Sequence, residues 1–367
     1  HIAFKLIEIY NILMRIKNLA KKIISISFSL IFIFALLIGG ILYFGFFEEV
    51  SNGIVGMYYV HKGDKAYRKK KLPKAIEYYQ KGLNAYPRHY EAWTNLGNIY
   101  VVFEDFYSAR DAYKNAIEQK SNYTPARMNY GVIATEKLGD FEEAIDQYKA
   151  IINAKHKFWT IPFIFNNRKS EKINKGLAYY NMGVAYRLKS FYESDDEKLA
   201  NIDLRNAIDS YESALKILKN DYNTIFNLAL AYQLLGETKS AAKNYCKAIS
   251  LEPMNYEAHY NLAILLKHLK MYKESYNEIE KASLLAAESG NINSNTQSYV
   301  FDILNSMSMV LINQDDYKYL IEKQSYNPQD NEVTYVHGKM VVTKELDKAI
   351  LNNLKKCEAE EYYKEED

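Results

Sequence analysis

A repeat of 34 residues is the feature of this sequence that most restricts its fold. Gly63, Gly97 and Gly131 are spaced 34 residues apart, and so are Tyr211 and Tyr245. A fixed period between about 20 and 50 residues is typical of repeat architectures, in which each unit packs on its neighbours. The sequence therefore predicts an array of small units.

Within each period the apolar residues have helical spacing. Trp93, Leu96 and Tyr100 follow one helical face, and Ala109 and Tyr113 begin a second. Each unit is therefore predicted to be a pair of amphipathic helices. One pair cannot bury its own apolar stripe, so the pairs must stack.

These positions resemble the tetratricopeptide repeat family, whose pattern is Trp-x2-Leu-Gly-x2-Tyr, then Ala-x3-Phe/Tyr, Ala and Pro. Residues 90–123 carry it as Trp93, Leu96, Gly97, Tyr100, Ala109, Tyr113 and Ala116. Residues 222–255 carry it as Leu228, Ala229, Tyr232, Ala241, Tyr245, Ala248 and Pro253. The resemblance implies an all-α fold, an α-solenoid in which the helix pairs form a right-handed superhelix.

The resemblance covers residues 56–287. Six clear repeats begin near Gly56, Tyr90, Thr124, Gly176, Tyr222 and Tyr256. The third has one extra residue, since Ala109 and Ala144 are 35 apart, and insertions fall at about residues 153–175 and 189–201. In the second insertion, the string Ser194-Asp195-Asp196-Glu197 has the form of a capping box that starts a helix.

Residues 288–367 are predicted to form degenerate helical repeats and a capping C-terminus. The string Tyr335-Val336-His337-Gly338 echoes Tyr59-Val60-His61-Lys62-Gly63 in the first repeat. Atypical terminal units are expected because they shield the ends of a stack.

A long apolar segment precedes the repeats. Residues 23–47 are 25 positions without a charge, whereas a helix needs roughly 20 residues to cross a bilayer. A cleaved signal peptide is the alternative, but its apolar region is shorter and ends at small residues. We predict an uncleaved transmembrane signal anchor, a single helix before the solenoid.

Residues 1–22 form a basic N-terminal segment. Its basic residues next to the apolar run are Arg15, Lys17, Lys21 and Lys22, whereas Glu48 and Glu49 follow the run. The positive-inside rule then places the N-terminus in the cytoplasm and the repeats on the extracytoplasmic side. This is the arrangement of a bacterial inner-membrane protein that faces the periplasm.

An asparagine recurs two residues before the small Gly or Ala of the first helix, which lines a concave groove in this family. The residues are Asn95, Asn129, Asn181, Asn227 and Asn261. They resemble the asparagine ladder of O-linked N-acetylglucosamine transferase, which implies contact with a peptide main chain, since an amide both donates and accepts hydrogen bonds. The alternative is that each amide bonds within its own repeat or to water.

An apolar stripe lies beside these asparagines. Its residues are Tyr180, Val184, Phe226, Leu230, Tyr260 and Ile264. As a groove lining it would favour apolar or aromatic side chains of a partner, and ordinary packing is the alternative. The family's carboxylate clamp for chaperone C-termini is disfavoured, because its Lys and Arg positions hold Thr94, Met128, Tyr180, Phe226 and Tyr260.

The connection between the third and fourth repeats is aromatic with basic flanks. Its aromatic residues are Phe158, Trp159, Phe163 and Phe165. The pattern suits a bilayer interface or a docking surface. The alternative is a loop folded over its own repeats.

The sequence contains no motif for catalysis or for a cofactor. The strings G-x-x-x-x-G-K-[ST], G-x-G-x-x-G, H-E-x-x-H and G-x-S-x-G do not occur, and a formal net charge of +2 argues against nucleic acid. Cys246 and Cys357 lack a paired spacing, so we predict a buried thiol at Cys246 and no disulfide. We expect no enzyme, catalytic residue, cofactor, metal or small-molecule substrate.

Two functional hypotheses follow. The favoured one is a non-enzymatic, membrane-anchored scaffold that binds extended segments of partner proteins in its groove, in the assembly of an envelope or membrane complex. The alternative is an accessory or regulatory subunit that positions a separate enzyme, such as a glycosyltransferase. In both, the partners are other proteins at the groove and the membrane at the N-terminal helix.

Overall fold

The computed structural model describes residues 30–40, 46–154, 167–192, 196–269 and 271–289, isolated positions between 17 and 27, and two short strands. The chain forms two compact units, His1–Ser121 and Asn122–Asp367. We call them the N-terminal unit and the C-terminal unit. Most of the predicted degenerate repeats at residues 288–367 lie outside the described residues.

The N-terminal unit consists of two helix pairs. Its helices are α1 (Phe46–Arg68), α2 (Leu72–Ala85), α3 (Tyr90–Val102) and α4 (Phe106–Gln119). Two of these helices begin at a clear local signal. Pro73 lies in the first turn of α2, and the Asp105 carboxylate caps α4 by accepting a hydrogen bond from the Ser108 N–H at 3.1 Å.

The C-terminal unit repeats the same plan. Its helices are α5 (Thr124–Ile133), α6 (Phe141–Asn153), α7 (Asn167–Tyr192), α8 (Glu197–Leu218), α9 (Tyr222–Leu234), α10 (Thr238–Leu251), α11 (Tyr256–His268) and α12 (Tyr272–Ser289). They pack as the consecutive pairs α5 with α6, α7 with α8, α9 with α10 and α11 with α12. The predicted all-α array of helix pairs is therefore confirmed for these residues.

The extra residue of the third repeat is taken up at the end of its first helix. Ala134–Leu138 forms a π-helical turn, the wider winding by which a helix absorbs an inserted residue. Gly139 then ends the turn with a φ of +69°, a backbone conformation that favours glycine. The second helix of this repeat therefore still meets the first.

A tyrosine ring of the second helix packs directly on a glycine of the first in four repeats. A Cβ added to Gly63, Gly97, Gly131 or Gly183 would lie 2.6–2.7 Å from the ring of Tyr79, Tyr113, Tyr148 or Tyr211, respectively. Each of these tyrosines is at most 1% exposed. The glycine is required because no side chain fits between the helix backbone and the ring.

Alanines take the remaining close positions. Ala75, Ala109, Ala144, Ala207 and Ala241 are all completely buried in the second helices. Leu83, Ile99, Ile145 and Ile225 fill the spaces between helices and are at most 2% exposed. Burial of each such side chain contributes roughly 1.5–3 kcal/mol, so the core is spread along the repeats.

The predicted insertion at residues 189–201 lengthens two helices. Helix α7 continues to Tyr192 and α8 begins at Glu197, with the Asp196 carboxylate accepting from the Lys198 N–H at 2.8 Å. The N-cap is therefore Asp196 and not Ser194. Lys189 Nζ lies 3.7 Å from Asp203 Oδ2, so the extended parts of the two helices lie side by side.

The last helix pair contains a buried group of charged side chains. His259 Nδ1 lies 2.6 Å from Glu278 Oε2, and Lys281 Nζ lies 2.9 Å from Glu278 Oε1. Burial acts to raise the pKa of the Glu278 carboxyl, but the hydrogen bond from His259 and the charges of Lys281 and His259 outweigh it, so this pKa lies below its usual range. An ionised carboxylate thus ties α11 to α12.

The sequence predicted a degenerate helical repeat around Tyr335 to Gly338. This prediction is wrong for the described part of that segment. Strands β1 (Thr334–Val336) and β2 (Lys339–Val341) pair antiparallel, with Val336 opposite Lys339. Thr, Tyr and Val are residues that favour strands. A four-residue echo of the first repeat carries too little of the helical pattern to override this preference.

A second expectation, the free thiol at Cys246, is also wrong, because Cys246 is disulfide-bonded. The residue is only 6% exposed. The other cysteine of the sequence, Cys357, lies outside the described residues. The spacing of the two cysteines in the sequence did not predict this bond. A disulfide requires that two cysteines be close in space, and they can be far apart in sequence. The predicted buried position is right, but the predicted free thiol is wrong.

Across the described residues, every helix is too short or too polar to cross a membrane. The predicted anchor at residues 23–47 lies partly outside the described residues, and its residues 30–40 are helical.

Replacing Gly97 with Ala tests the ring contact. We expect the Gly97→Ala variant to lose about 1–3 kcal/mol of unfolding free energy, because its Cβ would overlap the Tyr113 ring. Gly53→Ala is the matched control, since its Cβ would meet only Tyr86 at 3.9 Å, and an alanine there should gain about 0.5–1 kcal/mol. Urea unfolding followed by circular dichroism measures both, and equal stabilities would contradict the proposed contact.

Candidate peptide-binding surface

The first helices of successive repeats lie next to one another in the C-terminal unit. Asn181 Nδ2 on α7 lies 3.3 Å from Met128 Sδ on α5. Asn227 Nδ2 on α9 donates to the Tyr180 hydroxyl on α7 at 3.4 Å. The structure therefore brings Asn181, Tyr180 and Asn227 together on one surface formed by α5, α7 and α9.

The asparagine amides of this unit bond mainly to their own surroundings. Asn227 Nδ2 donates to the Asn223 carbonyl at 2.9 Å, and Asn261 Nδ2 donates to the Glu257 carbonyl at 2.8 Å. Both carbonyls belong to the preceding turn of the same helix. The interpretation of bonding within the repeat is therefore correct for these two amide nitrogens.

The amide oxygens are the part of these side chains that stays available. Within the described residues, the side-chain oxygens of Asn181, Asn227 and Asn261 accept no hydrogen bond, and each residue is partly accessible. Asn129 on α5 is partly accessible as well. An unpaired amide oxygen can accept from the N–H of an extended peptide.

Asn95 in the N-terminal unit has a different role. Its Nδ2 makes two long contacts, 3.5 Å to Asp64 Oδ1 and 3.4 Å to the Tyr79 hydroxyl. Tyr79 itself donates to Asp64 Oδ1 at 2.7 Å. Asn95 therefore joins a polar group that links the first repeat to the second.

The predicted apolar stripe is half-buried. All six residues are partly accessible: Tyr180, Val184, Phe226, Leu230, Tyr260 and Ile264. The Tyr180 ring lies 6.0 Å from that of Tyr211, and the Phe226 ring lies 5.9 Å from that of Tyr245. The stripe is thus one face of the core, and its outer edges are open to a partner.

Sequence reasoning missed the polar partners of the buried tyrosines. Tyr113 donates to Asn98 Oδ1 at 2.8 Å, and Tyr245 donates to Gln233 Oε1 at 2.7 Å. The partner follows the small residue of the first helix by one position, as in Asn98, or by four, as in Gln233. A polar residue at either position is the sequence signal that could have identified them.

The connection between the third and fourth repeats was predicted to be a docking loop or a loop folded over its own repeats. Its residues Phe158, Trp159, Phe163 and Phe165 lie outside the described residues.

In the described parts of the chain, no group of three or more His, Cys, Asp or Glu side chains is arranged to hold a metal ion.

The fold and this surface define the class of the protein, a helical-repeat scaffold for protein interactions. Family models of the tetratricopeptide repeat match residues 62–124, 94–156 and 222–255. Tetratricopeptide repeats are therefore confirmed in these residues.

Two curated relatives match more of the chain. The TPR repeat-containing protein MJ1428 of Methanocaldococcus jannaschii is 24% identical over 232 residues, which cover 60% of this chain and 36% of that protein. BBSome complex member BBS4 of Bos taurus is 26% identical over 248 residues, 65% of this chain and 44% of that protein. The chain spans less than half of the length of these relatives.

Solved structures to which this chain is similar include MamA and PilW, the latter described as a type IV pilus biogenesis factor. The MamA structure has a TM-score of 0.43 at 22% identity and covers 55% of this chain and 93% of its own. The PilW structure has a TM-score of 0.46 at 15% identity and covers 62% of this chain and 91% of its own.

The contacts of Asn95 and Asn261 predict opposite effects on stability. Asn95→Ala should lower the unfolding free energy by about 0.5–1.5 kcal/mol, because Asp64 and Tyr79 lose a partner. Asn261→Ala should be neutral or slightly stabilising, since alanine is the better helix former and only a contact within the helix is lost. Chemical denaturation compares the two, and a larger loss for Asn261→Ala would contradict the assignment.

Proposed function

We propose that this chain is a non-enzymatic, membrane-anchored scaffold that holds an extended segment of a partner protein along the first helices of its repeats. The observation that carries the proposal is the row of asparagine side chains on α7, α9 and α11. Their nitrogens are bonded within the unit, whereas their oxygens accept nothing from the described residues. Fixed acceptors of this kind can bind main-chain N–H groups without requiring one particular sequence.

The half-buried stripe supports the same proposal. Tyr180, Phe226 and Tyr260 are held on one side by the core and are partly accessible on the other. Because their rings are already ordered, a partner side chain that packs on them loses little additional conformational freedom of the scaffold. We therefore expect the bound segment to carry apolar or aromatic side chains.

A membrane anchor at residues 23–47 is the second part of the proposal. In its described part, Ile31, Phe32 and Phe34 are each 65% exposed. A contiguous run of exposed large apolar side chains usually marks a surface that a membrane or a protein covers. Confinement to a membrane raises the local concentration of the scaffold near membrane-bound partners.

We further propose that the repeats lie on the extracytoplasmic side, as in an inner-membrane protein that faces the periplasm. The basic residues before the apolar segment favour this orientation. The disulfide at Cys246 agrees with it, since disulfides persist in oxidising compartments.

The alternative function, an accessory subunit that positions a separate enzyme such as a glycosyltransferase, would use the same surface. It differs in what is captured. An enzyme that co-purifies in fixed stoichiometry, with an activity that depends on this chain, would favour the accessory role.

A triple variant tests the groove. Asn181, Asn227 and Asn261 changed together to Ala should weaken capture of the partner by roughly tenfold or more, because three main-chain contacts are lost. Crosslinking in native membranes, followed by mass spectrometry, identifies the partner and measures its yield. The control is a triple change at Asn115, Asn206 and Asn244, which lie on second helices. Equal losses in both variants, or unfolding of the first, would contradict the proposed surface.

The orientation predicts a protease pattern in intact spheroplasts. An externally added protease should digest the repeats and leave an N-terminal tag protected, because the tag is cytoplasmic. Detergent-permeabilised cells serve as the control, in which the tag should also be digested. Protection of the repeats in intact spheroplasts, or their release into the soluble fraction, would refute the anchor or its orientation.

A further inference from the structure

Arg187 lies on the face of α7 that carries the candidate groove residues. Tyr180, Val184 and Arg187 follow the spacing i, i+4 and i+7, which places three side chains on one helical face. Arg187 is half-buried, like the other two. It is therefore a cation within the predicted apolar lining, and the sequence pattern of the stripe did not reveal it.

The Arg187 guanidinium has no anion beside it. Within the described residues it makes no ion pair, and its buried Nε has no hydrogen-bond partner. The hydroxyl of Tyr211, a residue with no exposed surface, lies near this guanidinium, but the two groups do not meet in hydrogen-bond geometry and the hydroxyl has no other partner. Two basic side chains that do form ion pairs are Lys189, with Glu142, and Arg88, with Glu49 at 2.9 Å.

Packing does not require a cation at this position. The equivalent residues of neighbouring repeats, four positions after the small residue, are Thr135 and Gln233. Thr135 donates its hydroxyl to the Gly131 carbonyl at 2.9 Å, and Gln233 accepts from the Tyr245 hydroxyl at 2.7 Å. Neutral side chains thus satisfy this position within the repeat, whereas Arg187 leaves polar groups unpaired, which is unfavourable when they are buried.

The aromatic surroundings of Arg187 are suited to an anion. Burial raises the pKa of the Tyr180 and Tyr211 hydroxyls, while the nearby Arg187 charge acts in the opposite direction on both. Tyr180 accepts a hydrogen bond from Asn227, so its own O–H proton is free to be donated. A carboxylate beside Arg187 could therefore accept from the guanidinium fork and from the Tyr180 hydroxyl.

We propose that Arg187 binds a carboxylate of the partner segment, an anionic subsite between the aromatic positions of the groove. The inference rests on the proposed groove and names one feature of its ligand, an acidic group next to apolar or aromatic side chains. Carboxylate and guanidinium form paired, directional hydrogen bonds in a partly desolvated site. The subsite differs from the family's carboxylate clamp, whose positions in this unit hold Met128, Tyr180, Phe226 and Tyr260.

A synthetic array of short random peptides tests the subsite with the full-length, detergent-solubilised protein. Each peptide is displayed once with a free C-terminus and once with its C-terminus blocked as the amide. We expect the wild type to select peptides with Asp or Glu beside aromatic residues, and Arg187→Gln to lose this selection by about tenfold. Selection in the blocked format assigns a side-chain carboxylate, and selection confined to the free format assigns the chain terminus.

Arg205→Gln is the matched control, because Arg205 is 67% exposed on α8 and lies 3.8 Å from Glu237. It should select the same peptides as the wild type. If the wild type selects peptides without carboxylates, or Arg187→Gln selects the same acidic peptides, the subsite is refuted while the groove stands. If the wild type selects no peptide in either format, the proposed groove fails with it. Unchanged circular dichroism of Arg187→Gln shows that its fold is intact.

Discussion

The contact between a tyrosine ring and a bare helix backbone determines the geometry of this protein. At Gly63, Gly97, Gly131 and Gly183 the ring of the second helix occupies the space where a Cβ would lie. The two helices of a repeat can approach this closely only because glycine has no side chain. The ring then fills the interhelical space with a rigid group of large apolar area, which stabilises the pair.

The tyrosines of the second helices also form hydrogen bonds with polar side chains of the first helices. Tyr79 and Tyr113, which pack on Gly63 and Gly97, donate their hydroxyls to Asp64 and Asn98 of the first helices. In the repeat that has Ala229 in place of the glycine, Tyr245 donates to Gln233. Buried hydroxyls need such partners, because an unpaired one costs about 1–3 kcal/mol. Some polar residues of the first helices therefore stabilise the core. They form a different set from the residues that are available to a ligand.

Much of this architecture could be predicted from the sequence, because one helix pair is a local structure with a repeated pattern. The starts of α3, α5, α9 and α11 fall at Tyr90, Thr124, Tyr222 and Tyr256, where a repeat register places them. Side-chain contacts were harder to predict. The asparagines share one motif position, yet Asn95 bonds to a neighbouring repeat and Asn261 to its own helix, a difference that depends on what the adjacent helix presents.

The remaining differences came from interactions that have no period. The disulfide of Cys246 and the buried group of His259, Glu278 and Lys281 each depend on residues that meet only after the chain has folded. The paired strands of Thr334–Val336 and Lys339–Val341 follow local preferences that a weak repeat echo did not outweigh. A periodic pattern specifies the common framework of the units, whereas the residues that depart from it distinguish one unit from the next.

Arg187 is such a departure. Its proposed role follows from the contact between a tyrosine ring and a glycine that holds each of these helix pairs together. In its repeat the ring of Tyr211 lies over Gly183, as the equivalent rings lie over glycine in three other repeats. The hydroxyl of Tyr211, however, has no hydrogen-bond partner among the described residues. A scaffold selected only for stability would place Thr or Gln there, as at Thr135 and Gln233. An unpaired cation at a partly accessible position lowers the stability of the free protein and becomes favourable only when an anion arrives. Among the described residues, the repeat of Arg187 and Tyr211 has two buried polar atoms without a partner, and specific recognition is expected there.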